Sequence, residues 1–292
     1  MKRIGLFLLL LLPALVSLQS CSNDSEDKLP EPNTAVQRMH DLTYGPDGRH
    51  KLDLYLPEGR DPNTPFIILI HGGAWVSGNK SDMRLLQDSL LGRGIASASI
   101  NYRYVSEGRH FESLMEDVRL AVDYCYNNRN TWYIRADRYM IGGASAGAHM
   151  ALLYAYAYDE QQRIGGVVSA AGPADIANAE YLNYTALIGL LDEVENMVGA
   201  KYTLFQPLDL RFSLASPLVN VANVPTLMIH GTADLVVPIA HAQSLSAALS
   251  ARNTPQRLVT LQDKGHDLGV ADPNTLTTII NEIDAWCRQY GR

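Results

Sequence analysis

The residues with the clearest chemistry surround Ser145. Residues 143–147 read Gly-Ala-Ser-Ala-Gly and are the only G-x-S-x-G pattern in the chain. Strand-like residues 139–141 run directly into this pattern, and an alanine-rich, helix-like segment follows it. A sharp turn between strand and helix, built from small residues, presents a serine hydroxyl as a nucleophile. We therefore predict that Ser145 is a nucleophile. The simpler alternative is a glycine-rich turn in which Ser145 only caps the helix.

A histidine must accompany this serine, because a serine hydroxyl is a poor nucleophile until a base removes its proton. On such a turn the acid and then the histidine follow the serine in chain order. Of the eight histidines, only His241 and His266 come late enough. His241 falls within a helix-like segment, where a packed or solvated residue is the simpler interpretation. His266 follows a strand-like run on a glycine-containing loop, where parallel sheets gather catalytic groups, so we predict that His266 is the general base.

Asp234 is the predicted acid. It lies in the segment His-Gly-Thr-Ala-Asp at 230–234, directly after the strand-like residues 225–229. Its carboxylate would hold the imidazole of His266 in one tautomer and stabilise the imidazolium form. The alternative is that Asp234 only caps the helix that follows it. Two further carboxylates, Asp263 and Asp267, lie too close to His266 in sequence to be preferred.

The elements that must position these residues alternate between strand-like and helix-like patterns, which predicts an α/β fold with a mostly parallel sheet. A turn-forming Gly-Pro-Asp-Gly at 45–48 predicts a hairpin between the first two strands. The alternation breaks between about 175 and 223, where irregular helix-like sequence carries Tyr181 and Tyr184. An insertion of that length predicts a small helical cap rather than a structureless loop. The predicted strands occupy residues 36–44, 51–56, 66–70, 95–102, 138–141, 165–170, 225–229 and 257–261.

Five motifs together resemble the hormone-sensitive-lipase-like carboxylesterases, in particular small bacterial esterases that are similar to feruloyl esterases and kynurenine formamidases. The resemblance covers nearly all of residues 36–292. It implies one α/β-hydrolase domain over that range, with a mostly parallel sheet of about eight strands, helices on both faces and a cap at about 175–223. The motifs are His71-Gly72-Gly73-Ala74-Trp75, Asn101-Tyr102-Arg103, Gly143-Ala144-Ser145-Ala146-Gly147, His230-Gly231-Thr232-Ala233-Asp234 and Lys264-Gly265-His266.

The resemblance also assigns an oxyanion hole. The motif at 71–75 is similar to the HGGG loop of these enzymes, with Ala74 in the last glycine position. By this resemblance, the backbone N–H groups of Gly73 and Ala74, together with that of Ala146, stabilise the oxyanion. Trp75 is expected to form a wall of the acyl or alcohol pocket and so to bind substrate. No cofactor is implied, and no cluster of side chains has the spacing of metal ligands.

The first 35 residues predict export rather than fold. Lys2 and Arg3 precede an apolar run at 4–16 that is too short to span a bilayer. Residues 18–21, Leu-Gln-Ser-Cys, resemble a bacterial lipobox, which predicts a signal peptide at 1–20 and a lipid anchor on Cys21. An acidic, flexible tether is expected at 21–35. The expected location is the outer membrane or cell surface, with its periplasmic side and a short N-terminal membrane helix as the alternatives.

The charge of the chain argues against a nucleic-acid-binding protein, and the positions of its cysteines argue against a disulfide. The net charge is −7 and no Lys/Arg-rich run occurs beyond the extreme N-terminus, so nucleic acid is not an expected partner. Cys125 and Cys287 lie in predicted helices on opposite faces of the sheet, which predicts two free, buried thiols rather than a disulfide.

These observations together predict a serine carboxylesterase that hydrolyses a small to medium ester through an acyl-enzyme. The expected export and the family resemblance favour acetyl or feruloyl groups on carbohydrate as the substrate. A formamidase or other amidase is the first alternative, because the same triad of Ser145, His266 and Asp234 serves it. A binding protein on a retired hydrolase scaffold is the second, and the filled triad positions disfavour it.

Overall fold

The computed structural model describes residues 34–291. The predicted signal peptide, the lipidation residue Cys21 and all but the last two residues of the predicted tether lie outside this range. No helix of residues 34–291 has both the length and the apolar character that crossing a membrane requires.

Eight strands form one sheet, in the order β1-β2-β4-β3-β5-β6-β7-β8. The first two strands are antiparallel, β2 also pairs antiparallel with β4, and the remaining pairs are parallel. This sheet confirms the predicted α/β-hydrolase fold. The strands are β1 (Gln37–Thr43), β2 (Lys51–Leu56), β3 (Phe66–Ile70), β4 (Ala96–Ile100), β5 (Tyr139–Ala144), β6 (Ile164–Ala170), β7 (Thr226–Gly231) and β8 (Gln256–Leu261).

Helices cover both faces of this sheet, which explains why its central strands are apolar without alternation. In β3, for example, Ile68 packs into the core on the face of α2, α3 and α7. Its neighbours Ile67 and Leu69 pack on the opposite face, against α8. The helices are α1 (Arg84–Leu91), α2 (Phe111–Trp132), α3 (Ala146–Leu153), α4 (Ala179–Leu187), α5 (Leu191–Val198), α6 (Leu210–Leu214), α7 (Ala240–Ala251) and α8 (Pro273–Tyr290), with a 3-10 turn at Lys80–Met83 and a π-helical turn at Tyr154–Tyr158.

The helix α2 continues beyond the apolar periodicity of its sequence. The apolar periodicity fades after Tyr126, yet the helix continues to Trp132, whose side chain is buried in the core. Tyr133 then adopts the left-handed conformation that ends the helix, with φ 53°. The polar last turn is therefore held by one large buried ring rather than by a periodic apolar stripe.

The two cysteines confirm the prediction of free, buried thiols. Cys125 on α2 lies in the core on one face of the sheet, and Cys287 on α8 lies in the core on the other. Burial raises the pKa of the Cys287 thiol to about 12, and that of Cys125 well above its usual value. Both thiols therefore stay protonated and unreactive at neutral pH.

Three short helices, α4, α5 and α6, occupy the segment between β6 and β7, where the sequence predicts a helical cap. Each helix is anchored by at least one fully buried apolar side chain: Leu182 on α4, Met197 and Val198 on α5, and Phe212 on α6. These helices are thereby fixed against the same core as α2 and α3.

Candidate active site

Ser145 occupies a strained turn between β5 and α3. Its backbone angles are φ 52° and ψ −121°, which are those of the first central residue of a type II′ turn, a position that glycine usually occupies. The turn also requires a close approach of helix and sheet. A Cβ atom at Gly147 would lie 2.2 Å from the carbonyl oxygen of Ile70 in β3. The glycine therefore lets α3 begin directly against the sheet, with Ser145 at its N-terminus.

The structure places the three predicted catalytic side chains in one hydrogen-bonded chain. The Nε2 atom of His266 lies 2.9 Å from the Oγ atom of Ser145. The Nδ1 atom of His266 lies 2.9 Å from the Oδ2 atom of Asp234. The parallel strands β5, β7 and β8 end at the same edge of the sheet, and each of these residues follows one of them. The fold therefore brings together residues that are 121 positions apart in sequence.

Asp234 is held as a fixed, ionised acceptor. Its side chain is fully buried, and its Oδ1 atom accepts hydrogen bonds from the N–H groups of Val236 and Val237, both at 2.9 Å. Burial alone would raise the pKa of this carboxyl. The hydrogen bonds from His230 and His266 and from the two N–H groups outweigh burial and hold the pKa well below its usual range.

His230, in strand β7, is a second histidine beside Asp234 that sequence reasoning missed. Its Nε2 atom donates to the carbonyl oxygen of Val237 at 2.8 Å and lies 3.3 Å from Oδ2 of Asp234. Its place at the end of a buried strand, four residues before the predicted acid, was the available signal. His230 is therefore a buried second contact to the same carboxylate oxygen that His266 approaches.

His241, the histidine rejected as general base, is a packed residue of α7. Its Nδ1 atom accepts hydrogen bonds from the N–H groups of Ala174 at 3.2 Å and Asp175 at 3.1 Å. Its ring also packs edge-on against Tyr181, with the centroids 4.2 Å apart. Burial lowers the pKa of His241 to about 4. His241 therefore anchors the backbone that follows β6.

The loop after β3 carries the predicted oxyanion donors. Gly73, Ala74 and Trp75 all have positive φ, at 114°, 48° and 63°. A Cβ atom at Gly73 would lie 2.3 Å from the carbonyl oxygen of Ser77, so only glycine fits there. Within residues 34–291 the backbone N–H groups of Gly73, Ala74 and Ala146 donate to no acceptor. Three donors are thus available near Ser145.

Stacked aromatic rings and tyrosine hydroxyl groups stabilise this loop. The ring of His71 stacks on that of Tyr102, with the centroids 4.4 Å apart and an angle of 18° between the planes. The hydroxyl group of Tyr102 donates to the carbonyl oxygen of His71 at 3.3 Å, and that of Tyr104 donates to Gly78 at 2.5 Å. Burial lowers the pKa of His71 to about 4. The neutral ring is therefore a packing element of the loop.

Trp75 is buried and also lines the cavity beside Ser145. Its Nε1 atom donates to the Nδ1 atom of His149 at 3.2 Å, and the Nε2 atom of His149 donates to the carbonyl oxygen of Ala215 at 2.8 Å. This chain of hydrogen bonds ties the oxyanion loop through α3 to the residue that follows α6. The indole is therefore fixed in orientation.

Arg103 and His50 both bind the buried carboxylate of Asp117. The Nε atom of Arg103 donates to Oδ1 of Asp117 at 2.8 Å, and the backbone N–H of Arg103 donates to Oδ2 at 2.7 Å. The Nε2 atom of His50 donates to the same Oδ1 atom at 2.9 Å. The motif at 101–103 contributes Arg103 to this network, but nothing local in the sequence marks Asp117 or His50 as its other members.

Two cavities adjoin at Tyr181. The first, of about 40 Å³, lies directly over Ser145 and is otherwise lined mostly by apolar side chains. The second, of about 420 Å³, has Asp175, Asn178 and Tyr184 among its walls. A small chamber thus contacts Ser145, and a larger cavity with several polar side chains lies next to it.

No group of three or more metal-ligating side chains is found within residues 34–291.

Comparison with known proteins gives a family. The BD-FAE family matches residues 52–249. The isoprenylcysteine alpha-carbonyl methylesterase ICME of Arabidopsis thaliana is 27% identical over 252 residues, which are 81% of this chain and 58% of that protein. Esterase LipQ of Mycobacterium tuberculosis is 30% identical over 226 residues, 72% of this chain and 52% of that protein. This chain therefore spans little more than half the length of these relatives.

A shorter match and two solved structures extend this comparison. Kynurenine formamidase of Danio rerio is 27% identical over 147 residues, 49% of this chain and 48% of that protein. A bifunctional GH43-CE protein of Bacteroides eggerthii superposes with a TM-score of 0.71 at 25% identity, over 86% of this chain and 35% of that one. A truncated carbohydrate esterase from gut microbiota superposes with a TM-score of 0.69 at 22% identity, over 88% and 99%. The chain belongs to the BD-FAE family, and its fold is that of the α/β-hydrolases.

Proposed function

We propose that this protein is a serine carboxylesterase. The observation that carries the proposal is the hydrogen-bonded chain from Asp234 through His266 to Ser145, with both links at 2.9 Å. Family membership supports the same class of reaction. The strained turn at Ser145 supports it independently, because such strain persists at sites where a nucleophile must be presented.

Acylation begins when the Oγ atom of Ser145 attacks the ester carbonyl and its proton passes to Nε2 of His266. Asp234 accepts a hydrogen bond from the Nδ1–H group of His266 throughout, which keeps the ring in the tautomer that leaves Nε2 free to act as the base. The tetrahedral intermediate then collapses to the acyl-enzyme, and His266 returns a proton to the leaving alcohol. Water repeats the cycle with His266 as base and releases the acid.

The oxyanion formed in each half-reaction needs donors in place beforehand. In this proposal the backbone N–H groups of Gly73, Ala74 and Ala146 supply them. In another hydrolase, removing a single donor of this kind raises the activation free energy by about 3 kcal/mol. The dipole of α3, whose first residue is Ala146, favours negative charge at the same place.

We propose an acetylated carbohydrate as the substrate. A cavity of about 40 Å³ over Ser145 suits an acyl group as short as acetyl better than a feruloyl group. The adjoining cavity of about 420 Å³ presents carboxylate, amide and phenol groups that can bind the hydroxyl groups of a sugar. The resemblance to the GH43-CE protein and to the gut carbohydrate esterase supports this choice.

Hydrolysis of p-nitrophenyl acetate by the full chain and by its Ser145→Ala variant tests the mechanism. We expect kcat to fall at least about a thousandfold in the variant. The control is Ser89→Ala, which removes a partly exposed hydroxyl group that donates to Leu85 of the same helix, α1. Equal activity of Ser145→Ala and wild type would reject the serine mechanism. If neither protein nor control is active on any ester, a retired, ligand-binding hydrolase fold becomes the better account.

A formamidase is the second candidate, supported by the match to kynurenine formamidase over half of this chain. The same three side chains would serve it, because both reactions pass through an acyl-enzyme. The two candidates are separated by the ratio of kcat/KM for N-formylkynurenine to kcat/KM for an acetyl ester. A ratio above one would favour the formamidase.

We also propose that the protein is an exported lipoprotein anchored through Cys21. This proposal rests on the basic and apolar N-terminus and its Leu-Gln-Ser-Cys segment. Incorporation of labelled palmitate by the wild type and not by Cys21→Ser, in a Gram-negative host, would support it. Labelling of both proteins, or of neither, would contradict it.

A further inference from the structure

The side chain of Glu193 lines the chamber over Ser145, and one of its carboxyl oxygens has no hydrogen-bond donor among the residues that the structure describes. The Oε2 atom of Glu193 is buried, and no donor within residues 34–291 reaches it. Glu193 lines the same small cavity as Ser145 and Tyr181. It stands on α5, in the cap segment, rather than on the strand-end loops that carry the triad.

The neighbouring glutamate on α5 shows what a structural carboxylate looks like in this helix. The Oε1 atom of Glu195 accepts from the N–H of Tyr202 at 2.7 Å, and its Oε2 atom accepts from Nζ of Lys201 at 2.6 Å. Both oxygens of Glu195 are therefore used in holding the cap together. Glu193, two residues earlier, makes no comparable bond with the described residues.

An unpartnered buried carboxyl oxygen is unfavourable, because the group has lost water and gained no donor in return. Two other buried polar atoms in the described part of the chain share this state, Nε2 of His71 and Nε1 of Trp286, and neither residue lines the chamber. The chamber is otherwise mostly apolar, with Leu190 and Val194 beside Glu193. A single acceptor in such surroundings discriminates strongly between ligands that can and cannot donate to it.

We infer that Glu193 is a specificity-determining residue that accepts a hydrogen bond from a hydroxyl group of the ester substrate. This inference rests on the proposed esterase function and deepens it. A deprotonated carboxyl group has only acceptors to offer, so the matching ligand group is a donor. The hydroxyl group belongs either to the acyl part or to the alcohol part of the ester, within reach of the chamber.

Three small esters separate these two sources. Ethyl acetate carries no hydroxyl group, ethyl glycolate carries one on the acyl side, and 2-hydroxyethyl acetate carries one on the alcohol side. The measured quantity is kcat/KM for each ester, followed by acid release at constant pH. Each hydroxylated ester is then expressed as a ratio to ethyl acetate, and that ratio is compared between variants, so that intrinsic reactivity cancels.

Glu193→Met and Glu193→Gln test the acceptor. Methionine has a similar length but no carboxyl acceptor, so the ratio for one of the two hydroxylated esters should fall roughly 10- to 100-fold. Glutamine keeps an acceptor oxygen and should retain most of the wild-type ratio. The matched control is Asp192→Asn, which removes a negative charge from the adjacent, 88% exposed side chain and should leave both ratios unchanged.

Several outcomes would overturn the inference. Ratios in Glu193→Met that equal those of the wild type would reject it, as would an equal loss of activity on all three esters, which indicates a purely structural role. A matching fall of the ratio in Asp192→Asn would reassign the effect to long-range charge. If the folded wild type hydrolyses none of the three esters, both the proposed function and this inference are rejected. An active enzyme whose ratios do not change in Glu193→Met rejects the inference alone.

Discussion

Two histidine–aspartate pairs in this molecule have the same hydrogen-bond distance but differ in what the second ring nitrogen of the histidine contacts. In one, Nε2 of His50 lies 2.9 Å from Oδ1 of Asp117. In the other, Nδ1 of His266 lies 2.9 Å from Oδ2 of Asp234. Both carboxylates are fully buried. The distance between imidazole and carboxylate therefore does not distinguish a structural pair from a candidate catalytic one.

The second ring nitrogen makes the difference. The Nδ1 atom of His50 accepts from the backbone N–H of Asp47 at 3.1 Å, and the ring is 1% exposed, so both nitrogens are engaged inside the fold. His266 is 25% exposed, and its Nε2 atom is directed at the hydroxyl group of Ser145. A histidine can act as a base only if one nitrogen remains available to a proton that moves.

The largest effect that this comparison predicts is the loss of activity in His266→Ala. We expect kcat to fall by about a hundred-thousandfold or more, because Ser145 loses its base. Steady-state hydrolysis of p-nitrophenyl acetate measures the effect. The same truncation at His50 should reduce stability but leave kcat of the folded protein within about tenfold of the wild type. Comparable losses of kcat at both positions would break the distinction between the pairs.

Asp234→Asn should have the next largest effect. The asparagine oxygen can still accept from the N–H groups of Val236 and Val237, so the fold should persist, but the ring of His266 is no longer held in the required tautomer. We expect kcat to fall about ten-thousandfold near neutral pH. A loss of less than about tenfold, with circular dichroism unchanged, would indicate that Asp234 only caps its loop.

For the structural pair, the expected effect is on stability. In Asp117→Ala, the guanidinium of Arg103 and the ring of His50 lose their buried acceptor, which should lower the free energy of unfolding by about 3–5 kcal/mol. Urea denaturation measures this. Glu116→Gln is the matched control, because Glu116 also pairs with Arg103 but is 53% exposed, so its loss should matter by less than about 1 kcal/mol. Similar values for the two variants would show that burial of the pair contributes little.

The buried imidazoles predict a dependence of the free energy of unfolding on pH. Burial lowers the pKa of His71, His149 and His241 to about 4. Below pH 6.5 the unfolded chain therefore binds more protons than the folded protein. The free energy of unfolding should fall between about pH 6.5 and 4, by up to about 1.4 kcal/mol per pH unit for each histidine.

Urea denaturation at pH 7, 6 and 5 measures this slope. Replacing one of the three histidines, as in His149→Gln, should reduce this slope by up to about 1.4 kcal/mol per pH unit, the contribution of one bound proton. Stability that stays constant from pH 7 to 5 would contradict the assignment of these rings as neutral packing groups.

Local signals explain which parts of the site could be predicted from the sequence. Ser145 lies in a strand–turn–helix pattern, and Asp234 and His266 each follow a strand on a short loop, so each position is marked by its own neighbours. The parallel sheet then implies that such loops meet at one edge. The number of strands was predictable for the same reason, because each buried strand is a short apolar run bounded by turn residues.

The residues that sequence reasoning missed depend on packing between distant segments. His50 and Asp117 are 67 positions apart, and no periodicity links a residue at a strand end to one on a helix. The contact between His230 and Asp234 depends on how the loop between them folds, which no sequence pattern indicates. The importance of Glu193 follows from how α5 docks over the site, since its sequence is that of an ordinary acidic helix start.

The positive φ of Ser145 sets stability against the proposed chemistry at this position. A glycine there would release roughly 1–3 kcal/mol of backbone strain, against a loss of about 0.5–1 kcal/mol for the greater flexibility of its unfolded chain. A Ser145→Gly substitution is therefore expected to stabilise the fold while it removes the hydroxyl group that the proposed mechanism requires. The stability of the turn alone thus does not account for a serine at a position whose backbone suits a residue with no side chain.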